Sequence, residues 1–226
     1  MAGNDGGSDS PSLMLISNTV ISWCSLLSSK KLAELKIGIT GSPGTGKKSI
    51  GAELAKVSGK PLISINEYAV AHGFGNQETN EFEVDESRLK GKIPTKNSIV
   101  LGHLLPYLVR GNQLDFVAVL RCSPGTLKKR LVRRGYSDEK VEENVEAEVL
   151  GVISYKTLQT FRSGKVAEFD TTRTKPKAVA MMILDTIIGK SPMRFGAIDW
   201  LSGAESPRSL MRVLSMRKLE HTVKDN

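Results

Sequence analysis

The stretch GSPGTGKKS, residues 41–49, has the glycine spacing of a loop that binds phosphate. Its glycines let the backbone close around an anion, and Lys47 supplies a positive charge for the β and γ oxygens of a nucleotide. The loop follows the β-branched segment LKIGIT and leads into a helical pattern, where backbone N–H groups and a helix N-terminus can cradle phosphates. The alternative is a tight Gly-Pro turn at the surface. The context favours a nucleotide-binding loop.

Position 48 departs from the usual pattern, in which Ser or Thr follows the lysine and helps to hold Mg²⁺. The ammonium of Lys48 cannot ligate a metal, so it either points away or partly replaces the cation as a fixed positive charge. Ser49 can still donate a hydrogen bond to an α-phosphate. We therefore expect nucleotide affinity to persist and metal-assisted transfer to be weakened.

The elements that must position this loop alternate along the chain. Strands are predicted in LKIGIT, PLISI, NSIVLGHLLPYLV, FVAVLRC and KVAEFDTT. Helices are predicted in KKSIGAELAKVSG, SPGTLKKRLVRRG, SDEKVEENVEAEVLGVISYKTLQTF and PKAVAMMILDTIIG. This alternation predicts an α/β fold with a parallel, doubly wound sheet, whose ligands bind at the carboxyl ends of the strands.

We place the folded domain at residues 35–202. Residues 1–34 form an N-terminal extension. Its small and polar beginning, residues 1–12, predicts disorder, and residues 13–34 are either an amphipathic helix or a sign that translation starts elsewhere, with Met14 as the alternative start. Residues 203–226 form a basic C-terminal tail with the apolar spacing of a short amphipathic helix.

Composition favours a cytoplasmic protein without a membrane segment. Hydrophobic residues make up 39% of the chain and charged residues 25%, which is typical of globular proteins, and no run is apolar enough for a membrane span. Cys24 and Cys122 are interpreted as unpaired thiols in a reducing compartment. The net charge of +8 favours an anionic partner, nucleotide or nucleic acid, although ordinary solvated lysines and arginines explain it equally well.

Several motifs, in a fixed order, make the chain resemble a known family. They are GSPGTGKKS, VLGHLLPYL, RRGYSDEKVEENVEAE, FDTT followed by KP, and GAIDWL. The chain is similar to the archaeal and eukaryotic adenylate-kinase-like NTPases of small-ribosomal-subunit maturation, the coilin-interacting nuclear ATPase type, and its DWL resembles the archaeal branch. The resemblance spans residues 35–202 and implies a P-loop nucleoside monophosphate kinase fold with an AMP-side region and a short lid.

The resemblance also implies ATP and AMP as the nucleotides. By position it assigns the ATP phosphates to Gly44, Gly46, Lys47, Lys48 and Ser49. Arg134, at the start of the lid, matches an ATP-contacting arginine, and Lys175 matches a position near the adenine. Residues 66–90 match the AMP-side region, and Arg88 is the candidate for the AMP phosphate.

Local chemistry leaves two of these regions open. Arg133 and Arg134 end a helix beside a glycine, where they either clamp transferring phosphates or form a solvated basic helix end. Asp85 and Glu86 are suited to starting a helix rather than to touching substrate. The acidic run SDEKVEENVEAE reads as an exposed charged helix, in which no catalytic carboxylate stands out.

The third predicted strand carries a second departure from the family. An acidic residue, a spacer and a histidine are usual there, and this chain has Leu101, Gly102 and His103. Lys48 and Leu101 thus weaken the support of Mg²⁺ from two sides, and the more positive pocket favours ATP binding without metal. In the family the histidine is tied to ATP hydrolysis and to coupling with the ribosomal partner. The alternative is a hydrogen-bonded histidine at a strand end.

Two functions of different class follow. The first is an enzyme that converts ATP and AMP into two ADP, or hydrolyses ATP slowly, with Lys47 and Arg134 stabilising charge and His103 nearby. The second is a catalytically impaired nucleotide-binding assembly factor. The resemblance implies the small-subunit platform ribosomal protein and the small-subunit rRNA as its partners. No residue is assigned as a metal ligand.

Overall fold

The computed structural model describes residues 34–78 and 81–202. The predictions for the N-terminal extension, for Cys24 and for the basic tail therefore lie outside the described residues, apart from Glu34. Within the described ranges, no helix is both long enough and apolar enough to cross a bilayer.

A parallel sheet of five strands forms the centre of the fold, in the order β2-β5-β1-β6-β7. Its strands are β1 (Ile37–Thr40), β2 (Leu62–Ser64), β5 (Ile99–Leu101), β6 (Phe116–Arg121) and β7 (Val166–Asp170), while β3 (Gly75–Glu78) and β4 (Glu81–Val84) form a separate pair. Each strand of this sheet lies in a segment that was predicted as a strand, which confirms the parallel α/β arrangement. β1 lies at the centre, so the loop that leaves its carboxyl end is flanked by strands on both sides.

Helices cover both faces of the sheet. They are α1 (Lys47–Ser58), α2 (Ile65–Ala71), α3 (Glu86–Leu89), α4 (Leu105–Leu108), α5 (Pro124–Val132), α6 (Asp138–Val149), α7 (Val152–Phe161) and α8 (Pro176–Ile187). One apolar core joins α1 and α8 to the sheet, and a second joins α2, α3, α4 and α7 to the opposite face. The strands are thus buried on both sides, which explains their nearly continuous apolar sequences.

The long helical pattern that ends in KTLQTF is split in two in the structure. Gly151 adopts φ 64°, in the left-handed region, so that α6 ends before it and α7 begins after it. A glycine populates this region without the steric cost of a Cβ, which is why one continuous pattern gives two helices. The acidic run therefore belongs to a separate helix, α6, with its own N-cap at Ser137, whose hydroxyl accepts a hydrogen bond from the Lys140 amide.

The AMP-side region contains elements that the sequence did not predict. β3 and β4 pair as an antiparallel hairpin, and helices α2 and α3 are short. The hairpin segments GNQE and EFEV carry no clear alternation of apolar residues, so their pairing was not visible in the sequence. Asp85 caps α3 by accepting a hydrogen bond from the Arg88 amide, in agreement with the helix-start interpretation.

Candidate phosphate-binding site

The glycine loop leaves β1 at the carboxyl edge of the sheet, and its backbone requires glycine. Gly41, Gly44 and Gly46 have φ angles of 138°, 90° and 98°. A Cβ at Gly41 would lie 2.3 Å from the carbonyl oxygen of Leu120, and one at Gly44 would lie 2.7 Å from a methyl carbon of Leu127. The loop thus combines left-handed backbone with close packing, and it leads directly into the N-terminus of α1, where free N–H groups favour an anion.

Lys47 is the first residue of α1 and reaches back over the loop. Its Nζ donates hydrogen bonds to the carbonyl oxygens of Gly41, at 2.7 Å, and Ser42, at 2.9 Å. Burial lowers the pKa of Lys47 to about 7, the Glu148 carboxylate opposes this shift, and the charge of Arg134 adds to it. A phosphate beside the ammonium would favour its charged form. The loop therefore carries a lysine whose charge responds to an anion at neutral pH.

His103 and Arg134 lie within electrostatic range of Lys47. His103 follows β5 and is half-buried, and burial, together with the charge of Lys47, lowers its pKa to about 4. Arg134 is exposed just beyond α5, beside Gly135 with φ 76°. The charge of Lys47 acts on His103, and that of Arg134 acts on Lys47, so the grouping of these three residues as catalytic stays a prediction. At neutral pH His103 is an uncharged imidazole, able to accept or donate a hydrogen bond but not to act as a cation.

Lys48 is directed toward the neighbouring helix. Its Nζ lies 2.8 Å from Oε1 of Glu67 on α2, and both side chains are largely exposed. Lys48 was expected either to point away from the loop or to replace the metal as a fixed charge, and the structure shows it pointing away, paired with Glu67. Ser49 is exposed on α1.

Leu101 lies in the hydrophobic core rather than at a polar edge. It is 3% exposed, and its Cδ2 lies 2.7 Å from the position that a Cβ on Gly51 would take. Mg²⁺ requires oxygen ligands in octahedral geometry, whereas positions 48 and 101 supply a paired ammonium and buried methyl groups. In residues 34–78 and 81–202 there is also no cluster of His, Cys, Asp or Glu side chains that suits a metal. The residues present do not fit a protein-held Mg²⁺.

Two of the expected nucleotide contacts lie on other elements. Lys175 is exposed at the N-cap of α8, in the loop that follows β7, and its carbonyl oxygen accepts from the Val179 amide. Arg88 is exposed on α3, with Nε 3.9 Å from Asp85 Oδ2 and its guanidinium carbon 5.4 Å from the ring centroid of Phe74. Among the residues that the structure describes, the contacts of Lys175 and Arg88 lie within their own regions and do not join them to Lys47.

A buried carboxylate on α6 contacts the glycine loop, and the sequence interpretation of this helix missed it. Glu148 is 2% exposed, and its Oε2 accepts a hydrogen bond of 2.7 Å from the hydroxyl of Ser42. The interpretation of the acidic run as wholly exposed was therefore wrong at this position. The available signal was its spacing, because position 148 lies on the same helical face as Val141 and Val145, which pack in an apolar cluster.

Arg121, at the end of β6, neutralises part of this buried charge. Its Nε donates to Glu148 Oε1 at 2.7 Å, and its Nη1 donates to Glu168 Oε1 at 2.8 Å. Nη1 also lies 3.2 Å from the hydroxyl of Ser154. One buried guanidinium thus faces two buried carboxylates, so removing Arg121 would leave both carboxylates without their charge partner, at a cost of about 3–5 kcal/mol.

Arg130 and Thr171 fix the other side of the glycine loop. Arg130 Nη2 donates to the carbonyl oxygen of Thr171 at 2.7 Å, and its Nη1 lies 3.4 Å from that of Gly44. The hydroxyl of Thr171 lies 2.9 Å from the carbonyl oxygens of both Thr45 and Arg121. These contacts hold the loop against the segment that follows β7. The sequence interpretation singled out Arg133 and Arg134 and did not identify Arg130.

Cys122 lies beneath this assembly as a buried free thiol. Burial raises its pKa to about 11, so the reactive thiolate is scarcely populated at neutral pH. Its state agrees with the prediction of an unpaired thiol.

Comparison with known proteins gives consistent relatives. The family model described as an AAA domain matches residues 37–151. A protein of Thermococcus gammatolerans named "Putative adenylate kinase" is 38% identical over 168 residues, covering 73% of this chain and 92% of the relative. A protein of the same name from Archaeoglobus fulgidus is 37% identical over 174 residues, covering 75% and 93%. The solved shikimate kinase from Acinetobacter baumannii in complex with shikimate has a TM-score of 0.54 at 17% identity, covering 73% of this chain and 99% of that one, which is a likeness of fold.

Proposed function

We propose that this chain, which belongs to the adenylate-kinase-like P-loop family of these archaeal relatives, binds ATP at residues 41–49 and transfers its terminal phosphoryl group to AMP or, slowly, to water. The observation that carries the proposal is the glycine loop itself, with Gly41, Gly44 and Gly46 at positive φ and Lys47 Nζ held over it by two loop carbonyls. We also propose a cytoplasmic location for this activity.

In this proposal the glycine loop and α1 bind the phosphates through backbone N–H groups. Lys47 exchanges its bonds to two loop carbonyls for phosphate oxygens and becomes fully protonated. Arg134, exposed and free to turn inward, stabilises charge on the transferring group. An AMP phosphate is already a nucleophile and needs no base. When water attacks instead, the uncharged imidazole of His103 can accept a hydrogen bond from it, and with a pKa of about 4 this imidazole is a weak base, which agrees with slow hydrolysis.

We propose that transfer is slow in comparison with nucleotide binding. The support for this is the chemistry of positions 48 and 101, where a paired ammonium and a buried leucine replace oxygen ligands. Any Mg²⁺ that arrives with ATP would depend on phosphate oxygens and water for its coordination. We place Ser49 at the α-phosphate, Lys175 near the adenine and Arg88 at the AMP phosphate, as the resemblance implies.

A second candidate is a nucleotide-binding assembly factor of the small ribosomal subunit, with a platform ribosomal protein or small-subunit rRNA as partner. The same departures at Lys48 and Leu101 favour it, because they weaken chemistry more than binding. The net charge of +8 and the motifs RGYSDEK and GAIDWL support it further.

A coupled assay and a titration separate the two candidates. Turnover with ATP, AMP and Mg²⁺ that falls by orders of magnitude in Lys47→Ala would support the kinase. ATP binding that persists in EDTA without turnover would support the assembly factor. The absence of ATP binding with and without Mg²⁺, measured by isothermal titration, would contradict both. Lys56→Ala is the matched control, since Lys56 is exposed at the far end of the same helix.

A further inference from the structure

The segment Gly196–Trp200, which contains most of the motif GAIDWL, contacts the buried charged side chains of α6 and the sheet. The indole Nε1 of Trp200 donates to Glu148 Oε1 at 3.2 Å, and the amide of Gly196 donates to Glu168 Oε2 at 2.9 Å. The carbonyl oxygen of Ile198 lies 3.4 Å from Arg121 Nη1. This segment therefore contacts both carboxylates and the guanidinium between them.

Glu148 connects this segment to the glycine loop, because its second oxygen, Oε2, contacts Ser42. Its Oε1 accepts hydrogen bonds from Arg121 Nε, the backbone amide of Cys122 and the indole of Trp200. Its Oε2 accepts one from the hydroxyl of Ser42. A carboxylate is planar and rigid, so a shift of one oxygen displaces the other. Glu148 is 2% exposed and its bond with Trp200 is part-buried, so each hydrogen bond to this carboxylate has a larger effect than at the surface.

Ser42 is the point at which this chain of contacts meets the phosphate-binding lysine. Its carbonyl oxygen accepts from Lys47 Nζ at 2.9 Å and from the hydroxyl of Thr45 at 2.8 Å. The position of Ser42 therefore sets both the lysine and the turn of the loop. The charge of Glu148 also acts on Lys47 directly, since it opposes the lowering of the lysine pKa.

We propose that Trp200 is a positioning residue for the phosphate loop, acting through Glu148 and Ser42. The end of the folded domain then influences the conformation of the glycine loop, although no residue of Gly196–Trp200 belongs to the phosphate-binding site itself. The consequence for ATP affinity rests on the proposed function, whereas the consequence for the loop conformation does not.

Trp200→Phe tests the proposal because it keeps an aromatic ring and removes only the N–H donor. We expect hydrogen exchange of the amides in residues 41–46 of the nucleotide-free protein to become about three- to tenfold faster, the effect of one lost hydrogen bond. Leu201→Ala is the matched control, because this neighbouring side chain is 50% exposed. Unchanged exchange at 41–46, or a uniform increase over the whole sheet, would overturn the proposal.

A double-mutant cycle with Ser42→Ala tests the route. If Trp200 acts through Glu148 and Ser42, Trp200→Phe speeds exchange in the loop of the parent protein and has little further effect in the Ser42→Ala background. An equal effect in both backgrounds would show that the route is wrong. ATP affinity is expected to follow the same pattern. A parent protein that binds no ATP would contradict the proposed function alone, since the exchange cycle is measured without nucleotide.

Fluorescence gives a test that leaves Trp200 in place. The chain has two tryptophans, and Trp23→Phe leaves Trp200 as the single reporter. Because its indole contacts the carboxylate that holds Ser42, we expect its emission to change on addition of ATP and to stay constant in Ser42→Ala at saturating ATP. If the emission of the Trp23→Phe protein does not change when ATP binds, the proposal is contradicted.

Discussion

Lys48 Nζ and Glu67 Oε1 lie 2.8 Å apart and join the first turn of α1 to α2, across the border between the phosphate loop and the AMP-side region. The two side chains are 73% and 70% exposed. Ion pairs of this kind contribute only about 0–1 kcal/mol, so this pair directs the lysine without greatly stabilising the fold. Position 48 is therefore open to substitution.

Lys48→Thr should restore a metal-facing hydroxyl at little cost. We expect the free energy of unfolding to change by less than about 1 kcal/mol, since only an exposed pair is lost. We expect Mg²⁺-dependent turnover to rise by about tenfold, because the hydroxyl can hold the metal on the nucleotide. Lys56→Thr, which breaks the exposed pair with Glu53 on the same helix, is the control. Equal activity of both variants would show that Lys48 does not limit the chemistry.

Leu101→Asp should destabilise the fold rather than add a second group that supports Mg²⁺. The side chain would place a carboxylate in the core, and we expect the free energy of unfolding to fall by about 3 kcal/mol or more at pH 8. Protonation of the buried carboxyl should reduce this loss at pH 5, whereas the cavity left by Leu101→Ala should show no such pH dependence. Chemical denaturation at both pH values measures this. A Leu101→Asp protein as stable as the parent would show that position 101 faces the solvent of the phosphate-binding site rather than the core.

ATP affinity should fall as the pH rises from 6 to 9. The pKa of Lys47 is about 7 in the nucleotide-free protein, so the ammonium is lost across this range, and bound phosphate raises that pKa again. Binding near pH 8 should therefore take up close to one proton. Titration calorimetry in two buffers with different ionisation enthalpies measures it. Lys47→Met should bind weakly and take up none, and proton release by the parent protein would contradict the assignment.

The same lysine predicts how stability depends on pH. Unfolding returns the pKa of Lys47 from about 7 to its ordinary value near 10.5, so the unfolded chain binds more protons between these two values. Stability must then rise with pH across that window. We expect the parent protein to gain stability relative to Lys47→Met between pH 7 and 10, as followed by chemical denaturation. A constant difference would show that the lysine is not desolvated.

Arg130 should matter more to the fold than its neighbour Arg133. Arg130→Gln removes charged donors to the carbonyl oxygens of Thr171 and Thr172, and we expect a loss of about 2–3 kcal/mol in the free energy of unfolding. Arg133→Gln, at an exposed position, should change it by less than about 0.5 kcal/mol. Denaturant unfolding of the pair decides this. Equal losses of stability in the two variants would show that the hydrogen bonds of Arg130 do not hold the segment that follows β7.

The parts of the molecule that could be predicted are those fixed by local chemistry. The apolar strands and the glycines of residues 41–46 carry their structure in their own spacing, and they lie where they were expected. The direction of Lys48 could not be predicted, because Glu67 is 19 residues away and becomes its neighbour only through the fold. Glu148 was missed for the same reason, since its contact with Ser42 spans 106 residues. A charged residue on the apolar face of α6 was the one local sign of it.

The hydroxyl of Thr171 ties the carbonyl oxygens of Thr45 and Arg121 together beneath the loop. A loop held in this way has already lost its conformational freedom when the chain folds. A ligand that enters it therefore loses little affinity to ordering the backbone, and more of the attraction between phosphate and amide groups remains as binding free energy. A nucleotide should thus meet a rigid receptor, and association should involve side-chain movement rather than closure of the loop.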